Sequence, residues 1–275
     1  MSISRLSTTS LTCFPYPSPP IDFRIKSASV VLYAKNDVTN ELLILLGRER
    51  FVKSWSGSNR WASFAGKAEK REDPFQCAAR ELYEETLALH LLPSHSSNTS
   101  NWASVDEMES YLRSLPCSSL ILFPAYGARK TKYLQVHACF LVGIQHDLGL
   151  PQEFHNLHQK LKRFESLSSK DSRKRYYESL SPEIQSHPAV IANSDGDIQV
   201  RDVFLEKKEL QYWSLKRLRG AFHRWGRHRG RKNLFRKCFQ RTLHIVIERL
   251  RKINEEKVKK PLIKYGNCSA ALEAY

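Results

Sequence analysis

Asp73 to Leu89 reads as a helix with two faces that cannot share an environment. Phe75, Ala78, Ala79, Leu82 and Leu89 recur on one side at helical spacing, so that side must dock on other structure. Asp73 is placed to cap the helix and Pro74 suits its first position. Glu81, Glu84 and Glu85 stand at i, i+3 and i+4 and project together from another face. Like charges so close are destabilising unless something offsets them. Hard divalent cations take oxygen ligands, and Mg²⁺ binds through one or two carboxylates plus substrate phosphates. A metal cradle at the rim of a sheet is one reading of the three glutamates; a solvated acidic face is the other.

The flanking segments supply that sheet. "SASVVLYA" (27–34) and "ELLILLGRER" (41–50), separated by "KNDVTN", read as a strand pair, and "SLILFPAY" (119–126) with "TKYLQVHACFLVGI" (131–144) as a hairpin. A short helix is expected around 104–115, and strand-like alternation returns in "DIQVRDVFLEKKELQYWSL". Between about 146 and 200 the pattern is polar, with a helix expected over "KLKRFESLSSKDSRKRYYESL" and a turn at "NSDGD"; this segment is read as an insertion. From Phe235 to Ile253, Phe235, Phe239, Leu243, Val246, Leu250 and Ile253 form the apolar seam of an amphipathic helix.

Charge is distributed unevenly. The 275-residue chain carries a formal +16, and Lys216 to Lys260 alone holds 17 Lys and Arg against three Glu, a net +14. So concentrated a field suits a polyanion such as RNA, a polyphosphate or an anionic surface, or else serves as a solvated face. Within it Phe222, Trp225 and Phe235 alternate with Arg and His, a pattern suited to phosphate contact plus base stacking. The six cysteines show no CxxC pair, and no apolar run reaches the ~20 residues of a membrane span. Residues 1–23 read as a flexible leader, with a short organellar transit peptide as the alternative; otherwise a cytoplasmic or nuclear location is expected.

The wider spacing around the helix carries a resemblance. Gly66, five residues, Glu72, seven residues and then Arg80-Glu81-Leu82-Tyr83-Glu84-Glu85 is similar to the Nudix box, G-x5-E-x7-R-E-U-x-E-E-x-G-U. The similarity covers roughly 26–145 and 198–218. It implies an α/β protein: an α/β/α sandwich with a mixed sheet over 24–215, an insertion at about 146–200, and a basic helical extension over 216–275. It also implies a metal-dependent hydrolase of phosphoric anhydrides. Glu81, Glu84 and Glu85 would hold Mg²⁺ or Mn²⁺ with the Gly66 carbonyl, Glu72 would support them, and Arg80 would fix a glutamate rotamer. Glu206 is the candidate general base, with Glu209 beside it as the alternative.

Three positions depart from the box. Leu87 replaces the Gly after "EEx", so the helix is expected to continue another turn. Phe64-Ala65 replaces the usual Pro-Gly, and Arg71 stands where Gly is common. For substrate, the basic extension resembles the mRNA-decapping branch, including viral decapping enzymes, which release m7GDP. Lys67, Arg224, Arg227, Arg229, Arg231 and Lys232 are then the candidate RNA or phosphate contacts. A diphosphoinositol polyphosphate or nucleoside diphosphate-X substrate is the alternative, and a Nudix-fold RNA-binding protein without hydrolysis a further one.

Overall fold

A computed structural model describes residues 23–93, 101–125, 134–227 and 234–259. In chain order the strands are β1 (Phe23–Lys35), β2 (Leu42–Glu49), β3 (Trp61–Ala62) and β4 (Phe64–Lys67), followed by helices α1 (Pro74–Glu85) and α2 (Val105–Ser114). Then come β5 (Leu120–Pro124), β6 (Leu134–Gly143), α3 (Leu150–Ser166), α4 (Lys170–Glu178) and α5 (Pro182–Gln185). The hairpin β7 (Val190–Ala192) and β8 (Ile198–Val200) leads to β9 (Lys207–Ser214), α6 (Leu215–Arg227) and α7 (Lys237–Lys259).

Seven strands form one mixed sheet along the path β3-β2-β1-β6-β5, with β4 on β1 and β9 on β2. β1 and β6 run parallel, Phe23 to Tyr33 against Leu134 to Gly143, and the other pairings are antiparallel. β1 is shared: Leu32 to Lys35 pair with β2, and Ser27 to Val30 pair with β4. The chain from Trp61 to Lys67 therefore crosses from β2 to β1, and this crossing sets Gly66 opposite Ala28 of β1.

Strand alternation divides the core into two layers. Ala28, Val30, Leu32, Leu45, Ala138, Phe140 and Val142 face α1, α2 and α3. Val31, Ile44, Leu46, Cys139 and Leu141 face Leu218 of α6 and Phe239, Leu243, Val246, Ile247 and Leu250 of α7. The result is an α/β/α sandwich, as the box resemblance implied. Among the described residues no helix is long and apolar enough to cross a membrane.

The segment from 146 to 200 is more deeply embedded than its polar composition suggests. Leu150, Phe154, Leu157, Leu161 and Phe164 of α3 are buried, and most of them join the first core layer. The expected single helix over 160–180 is instead two, broken at Leu167 to Ser169, where the Ser169 hydroxyl caps α4. Arg173 donates to both carboxylate oxygens of Asp197 at 2.9 and 2.8 Å, tying α4 to the β7–β8 hairpin.

Candidate active site

Local chemistry fixes the start of α1. The Asp73 carboxylate accepts from the backbone N–H groups of Phe75 and Gln76, and Gln76 Oε1 accepts from the Asp73 N–H, which is a capping box. Its end corrects the sequence expectation. α1 stops at Thr86, and Leu87 and Ala88 turn into the left-handed region at φ 58° and 54°. Leu87 thus takes the conformation a glycine would, at a cost of about 1–2 kcal/mol per such residue. Its side chain is fully buried, and its carbonyl accepts from His187 Nε2 at 3.0 Å, so packing and a brace from the loop after α5 hold the turn. Arg71 likewise adopts φ 73°.

α1 lays its acidic face against β4 and the loop before β9. Gly66, Lys67, Arg80, Glu81, Glu84, Glu85, Val203, Glu206, Trp55 and Arg236 line one cleft of about 450 Å³. A larger cavity of about 850 Å³, bordered by His90, Trp102 and His146, contains none of the box residues. At Gly66 a Cβ would lie 1.8 Å from Glu81 Oε1, so only glycine lets the carboxylate approach this backbone.

Arg80 organises one side of the cleft. Its Nε and Nη2 donate to the two oxygens of Glu72 at 2.7 and 3.0 Å, and Nη1 donates to Glu81 Oε1 at 2.7 Å and Glu84 Oε2 at 3.4 Å. Nη2 also donates to the Lys67 carbonyl at 3.0 Å. Hydrogen bonding from Arg80 holds the Glu72 carboxyl below the usual range. Burial raises Glu81 and Glu84 despite the same arginine, and it pushes Glu85 up to about 8 against the pull of Lys207.

Glu85 Oε2 accepts from the Ala65 N–H at 2.7 Å, while Oε1 lies 2.9 Å from the Lys207 ammonium. Lys207 also donates to Glu49 at 2.6 Å, and Arg236 donates to the same Glu49 oxygen at 2.9 Å. Sequence reading singled out none of Glu49, Lys207 and Arg236. Nothing in "LEKKEL" separates Lys207 from Lys208; the burial comes from a register shift opposite Arg48 and Glu49.

Of the candidate residues, Gly66, Lys67, Glu72, Arg80, Glu81, Glu84, Glu85 and Glu206 gather at or beside the cleft. Glu206 is exposed at the rim; Glu209 sits on β9, paired to Arg48 at 3.2 Å. Arg224 and Arg227 lie on α6, and Arg229, Arg231 and Lys232 lie outside the described residues. Phe235 is buried in the second core layer, against Trp61 and Trp213.

Among the described residues, no three His, Cys, Asp or Glu converge into a metal cage by themselves. The donor set still fits a hard cation. Arg80 contacts one oxygen each of Glu81 and Glu84, the second oxygens remain for a ligand, and Mg²⁺ needs only one or two carboxylates beside substrate phosphate.

A glutamate-bearing helix thus lies against a glycine-bearing strand of a mixed sheet between two helical layers. Residues 24–119 match the family model described as the NUDIX domain. No curated protein matches the chain. Solved structures do. A MutT/nudix family protein from Enterococcus faecalis is 12% identical over 74% of this chain and 47% of its own, with a TM-score of 0.30. The Ap4A hydrolase of C. elegans, in a binary complex, is 13% identical over 70% of this chain and 82% of its own, at 0.32. The NUDIX domain of Shewanella oneidensis NrtR, complexed with ADP ribose, is 10% identical over 84% and 87%, at 0.35. This chain spans about half of the Enterococcus protein, and none of these likenesses bears on its substrate.

Proposed function

We propose that the protein is a divalent-metal-dependent pyrophosphohydrolase that cuts a diphosphate bridge on a nucleotide, with the cap of an mRNA as substrate and m7GDP as product. The observation that carries this reading is the cleft, where Glu81, Glu84 and Glu206 stand with Gly66 while Lys67 and Arg236 supply positive charge beside them.

Glu81, Glu84 and the Gly66 carbonyl, with Glu85 behind them, would hold Mg²⁺ or Mn²⁺. When bound, the metal neutralises charge on the bridging and leaving phosphate oxygens. Arg80 keeps Glu81 and Glu84 in place by direct hydrogen bonds, and Glu72 keeps Arg80 in place in turn. Lys67 and Arg236 meet the phosphates. Glu206, exposed and on the opposite wall, takes the proton of the attacking water.

Two features favour a nucleotide attached to RNA. Trp55 and Val203 are exposed large hydrophobics on the cleft lining, which suits a flat base better than an inositol ring anionic on every side. Arg236 belongs to the basic stretch from Lys216 to Lys260, so the segment that carries the chain's excess charge reaches the cleft itself. The left-handed backbone at Leu87 and Arg71 keeps the glycine-type turns on either side of the acidic helix, which speaks against a degenerate, binding-only site.

The test is Mn²⁺- or Mg²⁺-dependent hydrolysis of cap-labelled RNA by the wild type and Glu84→Gln, with diphosphoinositol polyphosphates and free nucleotides alongside. Release of m7GDP, lost in the variant and inhibited by uncapped RNA, is expected. Turnover of a small substrate without m7GDP release would overturn the cap reading alone. RNA binding with no turnover of anything would overturn hydrolysis.

A further inference from the structure

Behind the cleft, Glu49 and Lys207, which the hydrolytic scheme does not use, form an ion cluster with Glu85 and Arg236. Lys207 has no accessible surface, and Glu49 and Glu85 are 1% and 2% exposed. The lysine stem runs over Gly47, where a Cβ would sit 2.8 Å from Lys207 Cδ, so β2 is notched to admit it. Its ammonium ends 2.6 Å from Glu49 Oε1 and 2.9 Å from Glu85 Oε1. Arg236 donates to that same Glu49 oxygen at 2.9 Å, and the Ala65 N–H holds the second oxygen of Glu85 at 2.7 Å.

Two carboxylates converging on one point in a dry interior need a cation between them. A compact ammonium with three donors can fill the place that a small hydrated cation would take between such oxygens. Here the cation is covalently part of the chain, and one of the carboxylates it holds belongs to the same acidic run as Glu81 and Glu84. We propose that Lys207 is the resident cation of the Glu49–Glu85 cradle, standing in the place of a divalent ion, so that exchangeable metal is confined to the Glu81–Glu84–Gly66 side of the cleft. Lys207 is on this account a positioning residue: it pins Glu85 against Ala65 and adds a fixed positive charge behind the phosphates. The inference rests on the metal-site reading above.

The experiment counts Mn²⁺ bound to the full-length protein by electron paramagnetic resonance, in the wild type and Lys207→Ala. Lys207→Ala is expected to bind one equivalent more than the wild type, because its two carboxylates are left facing a vacated space. In parallel, the buried ammonium gives a slowly exchanging ¹⁵Nζ resonance, assigned by its absence in Lys207→Arg. That resonance is expected to persist when the wild type is saturated with Mg²⁺. Equal Mn²⁺ counts, or loss of the ammonium resonance on adding Mg²⁺, would overturn the proposal. Should Lys207→Ala not fold, the resonance in the wild type decides alone. If neither protein binds Mn²⁺, the metal-site reading falls and this inference with it. If the wild type binds none but Lys207→Ala binds one, the metal-site reading falls and the resident cation stands.

Discussion

Arg71, Leu87 and Ala88 hold the left-handed conformation at φ 73°, 58° and 54° without being glycine, and they bracket the acidic helix. The three differ in what they return for that strain. Leu87 and Ala88 are fully buried in the first core layer, so trimming either would trade backbone relief for lost packing. Arg71 is exposed and has no such compensation. Arg71→Gly should therefore stabilise the protein by about 1 kcal/mol, net of the larger entropy of glycine in the unfolded chain. A urea titration would show this as a higher midpoint at unchanged slope, and a lower midpoint would mean the arginine makes a contact that outweighs its backbone. Gly66 is the opposite case. Gly66→Ala would drive a methyl group into the Glu81 carboxylate, 1.8 Å from Oε1. Displacing a positioned group by about 1 Å costs on the order of 10²-fold in rate, and that loss is expected here with the fold retained by circular dichroism.

At the scale of elements, what the sequence discloses depends on how local the determinants are. The cap, the apolar stripe and the carboxylate spacing of α1 all lie within one run of chain, and the structure agrees with each of them. The end of the same helix was misread because the turn at Leu87 is held from outside, by burial and by His187, a hundred positions further on. α3 carries its stripe at Leu150, Phe154, Leu157, Leu161 and Phe164 in plain helical register, but abundant polar residues between these positions hid it. Lys207 was illegible in principle: its place is set by Gly47, Glu49, Glu85 and a strand irregularity, four features that meet only after folding. The brace at the helix end gives a prediction. His187→Ala leaves the buried Leu87 carbonyl without its donor and should cost about 1–3 kcal/mol, seen as a lower thermal midpoint. Because the turn also ends the helix that bears Glu84 and Glu85, metal-dependent turnover should fall alongside it. Unchanged stability would show that packing at Leu87 suffices by itself.

For the whole molecule, opposing sets of buried ionisable groups shape the response to pH. His158 and His187 are pulled down to about 4 by burial, so their contribution is complete above the unfolded value near 6.5 and is lost as pH falls toward about 4. Glu81, Glu84 and Glu85 run the other way. Their folded affinities for protons are raised, Glu85's to about 8, so their contribution is complete below the unfolded value near 4.5 and is lost as pH climbs. Between about pH 4.5 and about pH 6.5 the two sets oppose each other, so a metal-free protein should lose stability above about pH 6.5, through the cleft, and below about pH 4.5, through histidine. A divalent ion held in the cleft would bind the ionised carboxylates, and its stabilisation would grow with the fraction of them that is ionised. Mg²⁺ should accordingly raise the thermal midpoint more at about pH 8 than at about pH 6, while leaving the acid limb unmoved. Scanning calorimetry across that range, with Mg²⁺ and with chelator, reads both limbs at once. A metal-induced rise that is flat with pH would place the ion away from Glu81 and Glu84. A rise that survives Glu84→Gln undiminished would do the same by an independent route.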